Sequence, residues 1–306
     1  MRYDVVIVGG GPAGLAAALT LGRARKRVLL CDSGSPRNAA AVHVQNFVTR
    51  DGVPPGEFRR IAREQLRPYA SVEARDERVQ AIAGELGAFE VQLATGTVET
   101  RRILLCTGMI DELPDIEGFA ELWGRSIFQC PYCHAWEVRD QRFAYLAASP
   151  EALSFALLLR GWTSDVAVLT DGKFAVPEET RERLAEGQVR VEELPIRRLA
   201  ARGDRLAHVE LADGTLLERD VLFVHPPQRQ VDLVRALGVE LDDKGFVRVD
   251  ETTRETSVPG IYAAGDLTTE VQGALLAAAA GMRAAATLNR ALTVEMATAG
   301  ALGGIV

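Results

Sequence analysis

Cysteine is scarce in this 306-residue chain, with four in all, at positions 31, 106, 130 and 133. Four in a chain this long are not the framework that staples small secreted domains. A basic excess is missing too. The net charge is −7 and the pI about 5.3, and nucleic-acid binding needs a basic surface, so no nucleic-acid partner is expected. No apolar run is long enough to span a bilayer; the longest, around 274–280, is short and rich in alanine. The N-terminus shows no charged segment followed by an apolar one. These absences predict a cytoplasmic protein that engages no membrane. What remains is ordinary for a globular protein: 47% hydrophobic and 25% charged residues, enough for a substantial core and, at this length, two domains of roughly 100–200 residues.

Two of the four cysteines stand close together, in Cys130-Pro131-Tyr132-Cys133-His134. Two residues between cysteines allow a small disulfide ring or an open dithiol. The proline restricts the backbone, and the histidine can take or give a proton near neutral pH. Such spacing is redox-active, half of a zinc site, or purely structural. Zinc needs about four ligands. Cys31 and Cys106 are isolated, and His43, His208 and His225 have no ligand spacing. No metal is therefore expected, and Cys130, Cys133 and His134 are the candidate catalytic residues.

The chain opens on a continuous apolar run, Val5-Val6-Ile7-Val8, suited to a buried parallel strand. Gly9-Gly10-Gly11-Pro12-Ala13-Gly14 follows and fits G-x-G-x-x-G. A helix pattern from about Pro12 to Arg25 and a second strand over 27–31 lead to Asp32. In this context Gly9 permits the tight turn, Gly11 lets backbone approach a pyrophosphate, and Gly14 lets the helix pack on the strand. Pro12 and Ala13 open the helix, whose N-terminus favours phosphate charge. Asp32 can accept from ribose hydroxyls. Residues 72–106 read as short alternating strands with turns at Gly87 and Gly96.

The first unit returns later in the chain. An offset of 138 aligns residues 6–34 with 144–172 without a gap, matching Leu15 to Leu153, Ala18 to Ala156, Leu21 to Leu159 and Val28 to Val166. The ligand positions have changed: Gly9 becomes Ala147, Gly11 becomes Ser149, Gly14 becomes Ala152, and Asp32 becomes Thr170. A side chain at 149 stands where backbone should meet a pyrophosphate. Asp171 would repel a 2′-phosphate, with Lys173 a partial compensation.

Gly260-Ile261-Tyr262-Ala263-Ala264-Gly265-Asp266, followed by a helix from Gly273-Ala274 to about Arg290, resembles the second FAD motif of the flavoprotein reductases with two dinucleotide domains. Ile103-Leu104-Leu105-Cys106-Thr107-Gly108 resembles their middle motif. With the C-x-x-C between them, the order resembles the low-molecular-weight thioredoxin reductases over nearly the whole chain. Cys-Pro-Tyr-Cys-His with Trp136-Glu137, Asp51-Gly52-Val53-Pro54-Pro55-Gly56-Glu57-Phe58 and Phe223-Val224-His225-Pro226-Pro227-Gln228 resemble more closely the branch with the gliotoxin- and holomycin-type dithiol oxidases.

The resemblance implies an α/β fold of two Rossmann-like dinucleotide-binding-type domains. The FAD domain would be discontinuous, over 1–115 and 241–306, with the second domain and its C-x-x-C inserted over 116–240. The cofactor would be FAD, held by Gly9, Gly11, Pro12, Ala13, Gly14, Asp32, Asn46, Val79, Thr107, Gly108, Gly265, Asp266, Gly273 and Ala274. Asp266 would bind the ribityl chain, Asn46-Phe47 would lie against the flavin, and Val79 would touch the adenine. NADPH, the family's usual donor, is not expected to bind the altered second unit. Cys130 would face a dithiol or disulfide substrate, either a small molecule or a thioredoxin-like protein, and Cys133 the flavin, with His134 as base. Tyr132 and Trp136 would line an aromatic entrance or pack in the core. The expected reaction oxidises a dithiol with oxygen as acceptor. The rivals are a thioredoxin reductase-type enzyme fed by NADPH, ferredoxin or a second flavin, and a flavin-binding redox sensor. A homodimer is expected, and the tail 297–306 shows no helix signal.

Overall fold

The computed structural model describes residues 2–300. The chain forms two compact units. One takes the residues up to Ala39, Phe47–Ile110, and those from Gln228 on; the other takes Ala40–Asn46 and Asp111–Pro227. The expected boundaries, 115 and 240, lie 5 and 13 residues after the divisions at Ile110 and Pro227. Val234 and Val239 are buried in the core of the first unit, so the chain has already returned before 240. Ala40–Asn46 joins the second unit, where Ala40 packs on Gly124.

In the first unit, strand β1 (Arg2–Val8) is buried over nearly its whole length, because parallel strands here are covered on both faces. It pairs in parallel with β2 (Val28–Cys31) on one side and with the long strand 96–105 on the other. Strand 72–75 extends the sheet beyond β2. Strand 96–105 is shared between two environments. Its first half pairs antiparallel with strand 88–93, and its last residues pair in parallel with strand 261–263. Strand 88–93 alternates exposed and buried residues, the mark of a sheet with one wet face. The turns fall at 86–87, as expected for Gly87, and at 94–95, so that Gly96 opens the next strand.

Helix α1 (Pro12–Arg23) packs against the long helix Ala274–Thr298. The contact is close because the second helix presents Gly281 to the backbone of Ala13; a Cβ at 281 would overlap the Ala13 carbonyl. Alanines 277, 284 and 285 bury the rest of that stripe. The long helix does not stop near Arg290. It continues to Thr298, where buried Leu292 and the ion pair of buried Arg102 with Glu295 hold its last turns. The tail therefore begins in helix, and residues 301–306 lie outside the described residues. No helix among the described residues is long and apolar enough to cross a membrane.

The second unit repeats this plan. Its sheet runs, in spatial order, 189–192, 166–169, 143–146, 221–224, 127–128. The offset of 138 holds residue by residue: Val5 pairs with Val28, and Phe143 with Val166. The amide of Gly9 bonds the carbonyl of Cys31 at 2.8 Å, and that of Ala147 bonds the carbonyl of Leu169 at 3.0 Å. Both units are Rossmann-like, as the sequence indicated. An antiparallel ribbon, 196–202 with 205–211 and 216–218, is added to the second.

Candidate active site

Four strands of the first unit end in register: Cys31, Val8, Leu105 and Ala263 are neighbours across the sheet. The loops that leave these ends carry Asp32, Gly9, Thr107 and Gly265-Asp266. In open α/β sheets ligands bind beyond the carboxyl ends of the strands. Three separated stretches of sequence thus converge on one crevice. Gly9 has φ +112°, and a Cβ there would overlap the Cys106 carbonyl beside Thr107. A Cβ on Gly265 would stand 3.0 Å from that of Ala13. Gly14 closes on the Gly9 carbonyl, while off Gly11 the space is open, with nothing within 4 Å of an added Cβ. The first helical bond runs from the Leu15 amide to the Gly11 carbonyl at 3.0 Å, and no side chain caps the helix. The opening amides face that space, so these residues fit a dinucleotide pyrophosphate.

The expected cofactor residues are placed unevenly. Gly273 is the N-cap of the long helix, and Ala274 its first residue. Asp266 begins a short 3₁₀ turn after Gly265. Val79 is buried in the core beside Cys31. Gly108 follows Thr107 with φ +66°. Asn46, with left-handed φ 62°, belongs to the second unit. Its neighbour Phe47 lies in the first unit, edge-on to Phe58 at 5.1 Å. His43 is exposed.

Sequence reasoning missed three residues here. A Cβ on Gly10 would collide with the Asp32 carboxylate; the acid that follows β2 dictates the residue between the motif glycines. Arg63 pairs with Asp32 at 3.3 Å and with Asp76 at 2.6 Å. Arg37 pairs with Asp266 at 3.0 Å. Neither arginine has a short motif that would have marked it.

In the second unit, strand 127–128 leads into Cys130. Pro131–His134 forms one helical turn with proline at its first position, where its missing N–H costs nothing. Cys130 and Cys133 are joined as a disulfide with Cα atoms 5.3 Å apart, and both are half-buried. The other thiols, Cys31 and Cys106, are buried, and burial holds both in the protonated form, Cys31 with a pKa pushed up to about 12. Only a thiolate attacks, so neither buried thiol is suited to exchange chemistry.

His134 stacks on Phe128 at 4.4 Å with 16° between the rings. Burial pushes its pKa down to about 4. The neutral-pH titration expected from the sequence is thus displaced, because the imidazole lies in an apolar slot without a carboxylate to favour its charged form. Tyr132 and Trp136 do not pack in the core; they are 60% and 64% exposed. Tyr132 sets its edge against Trp162 at 5.6 Å, and Arg139 covers Trp136 at 4.2 Å. His225 joins Phe155 and Tyr145, with its Nδ1 3.4 Å from the Tyr145 hydroxyl.

The second unit's own crevice is rebuilt. Ala147 is buried and lacks the left-handed backbone of Gly9. The helix begins as a 3₁₀ turn, Pro150–Ser154. The Ala152 amide is used within that turn, on the Ser149 carbonyl at 3.2 Å. The Ser149 hydroxyl bonds the Glu151 carboxylate and holds it ionised, with its pKa lowered. Thr170 is fully buried, and its hydroxyl has no partner. Asp171 is committed to the Ile196 amide at 2.7 Å and to Lys173 at 3.1 Å, so the lysine proposed as compensation is already paired.

Two nucleotide folds in matching register, one carrying a C-x-x-C disulfide, define a disulfide oxidoreductase built on a dinucleotide scaffold. The chain belongs to the pyridine nucleotide-disulphide oxidoreductase family, which matches over residues 3–299, and it is a thioredoxin reductase-like enzyme. It is 32% identical to the probable thioredoxin reductase of Arthroderma benhamiae, over 99% of this chain and 83% of that one. It is 31% identical to thioredoxin reductase sirT of Leptosphaeria maculans, over 94% and 93%. The crystal structure of HlmI superposes with a TM-score of 0.90 at 39% identity, over 98% of this chain and 95% of that one.

Proposed function

We propose that this enzyme oxidises a dithiol to a disulfide through Cys130–Cys133 and FAD, with molecular oxygen as final acceptor and without a nicotinamide donor. The observation that carries this reading is the rebuilt second crevice. The first unit leaves backbone amides and open space at its glycine turn. The second, in the same register, replaces them with a 3₁₀ turn, a side chain at 149 and an ionised carboxylate at 151. A pyrophosphate there would meet a like charge instead of free donors.

A substrate thiolate attacks Sγ of Cys130. The Cys130–Cys133 bond breaks, and Cys133 leaves as a thiolate with the bonding electron pair. The second substrate thiol loses its proton and attacks the substrate sulfur of the mixed disulfide. That closes the product disulfide and frees Cys130. His134 takes the proton. It is a weak base while the disulfide is intact, and each new thiolate beside it raises its affinity for a proton. FAD, held by the first unit, would accept the two electrons from the Cys130–Cys133 dithiol and pass them to oxygen as hydrogen peroxide. The exposed Tyr132 and Trp136 rings would meet the substrate.

The names of the curated relatives favour a second reading, a reductase of thioredoxin, for which the donor would be NADPH. One experiment separates the two. The purified protein is mixed anaerobically with excess NADPH and, separately, with dithiothreitol, while flavin absorbance is followed. We expect bleaching by the dithiol alone, reversed by air with release of peroxide. Rapid bleaching by NADPH would overturn the proposal.

A further inference from the structure

We infer that Arg37 is a strap residue for the dinucleotide of the first unit: it crosses the mouth of the crevice, holds the Asp266 carboxylate in place and sets the flavin's potential. This rests on the reading that FAD occupies that crevice.

The geometry is contained within one unit. Arg37 follows Asp32 by five positions, on the loop that leaves β2. Asp266 follows strand 261–263. Between these two strands lie β1 and strand 96–105, so the partners begin three strand spacings apart, about 14 Å at the usual interval. Arg37 closes that distance. Its Nη1 donates to Asp266 Oδ2 at 3.0 Å and to Gln272 Oε1 at 2.6 Å. Beneath this bridge lie the ends of the two intervening strands, with the Gly9 turn on one and Thr107 on the other.

The far side of the bridge is itself anchored. Gln272 Nε2 donates to Gln228 Oε1 at 2.8 Å and to the carbonyls of Thr269 and Asp266 at 3.2 and 3.3 Å. Gln272 directly precedes Gly273, the N-cap of the long helix. One guanidinium therefore ties the acid after Gly265 to the segment that opens that helix. Arg37 and Asp266 are each only about one-fifth exposed, at 22% and 23%, so water screens the pair less than it would on an open surface. A rigid fork suits this bridging task better than a lysine ammonium does.

Two consequences follow. A dinucleotide lying across the strand ends passes under the strap, so its release requires the bridge to open. Reduced flavin carries more negative charge than oxidised flavin. Loss of the guanidinium removes a positive charge beside the Asp266 carboxylate and near that flavin charge, which disfavours the reduced form. The potential should then move in the negative direction.

The test uses the full-length protein and three variants, Arg37→Met, Arg37→Lys and Gln272→Ala. FAD release is followed by its fluorescence on dilution, and the midpoint potential by equilibration with a reference dye. For R37M we expect release at least tenfold faster and a tenfold fall in the preference for reduced over oxidised flavin, which is about 30 mV for a two-electron couple. For R37K the charge returns but the fork does not, so the potential returns while release stays fast. Q272A should speed release and leave the potential unchanged. Release and potential both within twofold of the parent in R37M would overturn the inference. If R37M does not fold, R37K decides alone: fast release at unchanged potential supports the strap, and parental release refutes it. A parent protein that takes up no FAD would instead overturn the reading of the crevice, and the inference with it.

Discussion

The low pKa of His134 gives a prediction that can be worked through in numbers. The oxidised protein buries the ring against Phe128 and moves its pKa from 6.5 to about 4. A folded value below the unfolded one means that the unfolded chain binds the proton more readily. Stability from this group is therefore intact above pH 6.5 and is lost as the pH falls toward 4. At pH 4.5 the unfolded imidazole is about 99% charged and the folded one roughly a quarter charged, which costs about 2 kcal/mol relative to pH 7. His134→Phe keeps an aromatic ring for the Phe128 stack and removes the titration. Between pH 7 and 4.5 the variant should lose about 2 kcal/mol less stability than the parent in urea unfolding. The direct assay is an NMR titration of the ring protons, made tractable by the presence of only four histidines; the resonance missing in the variant belongs to His134. Its midpoint should lie near 4 in the disulfide form. In the dithiol form a thiolate at Cys133, the residue directly before His134, adds a negative charge that favours the imidazolium and raises the midpoint. A midpoint near 6.5 in the oxidised protein would refute the burial argument, and a midpoint indifferent to reduction would refute its role as proton acceptor.

Gly14→Ala should abolish FAD retention, because its Cβ would overlap the Gly9 carbonyl. The reverse change in the second unit, Ala152→Gly, should leave FAD content and dithiol turnover within twofold; absorbance after gel filtration checks both. Helix 274–298 exposes Leu276 and Met282 at about half their surface. If these make a homodimer contact, Met282→Glu should shift the mass measured by light scattering toward one chain.

The fold was legible wherever a residue pattern served packing. The 138-residue offset is visible in Leu15 and Leu153 or Val28 and Val166, and the register of both sheets follows it. The glycine turn was legible because its backbone has few alternatives. The helix end at Thr298 was not, because nothing near Arg290 stops the alanine-rich run; the stop signal comes later, at Gly300, which is left-handed (φ 64°) just past the C-cap Ala299. The His134 environment was hidden for a related reason: a pKa depends on what covers the ring, and Phe128 precedes it by six residues with no periodic pattern. Tyr132 and Trp136 show the same limit. Large aromatics in a helical turn read equally well as core or as surface until neighbours are assigned, and here the neighbours are Trp162 and Arg139.

The two units differ in what their turns must satisfy. In the first, the glycine turn, its two flanking helices and the end of strand 96–105 press on one another so closely that Gly9, Gly14 and Gly281 have no room for a methyl group, while the space off Gly11 stays open. Close packing without a void is what folding alone requires; close packing around a preserved opening implies an occupant. The second unit has kept the first requirement and dropped the second. Its strands pair in the same register over an apolar core, but the amide of Ala152 is used within the 3₁₀ turn, which also carries the Glu151 carboxylate. On the proposed reading no nicotinamide donor binds there, and the electron carrier left in that unit is the Cys130–Cys133 pair. Electrons would then enter as a dithiol and leave through the flavin, the reverse of the flow in a reductase. A cation such as Arg37 that favours reduced flavin would assist this direction, because it makes the dithiol the better donor of the two.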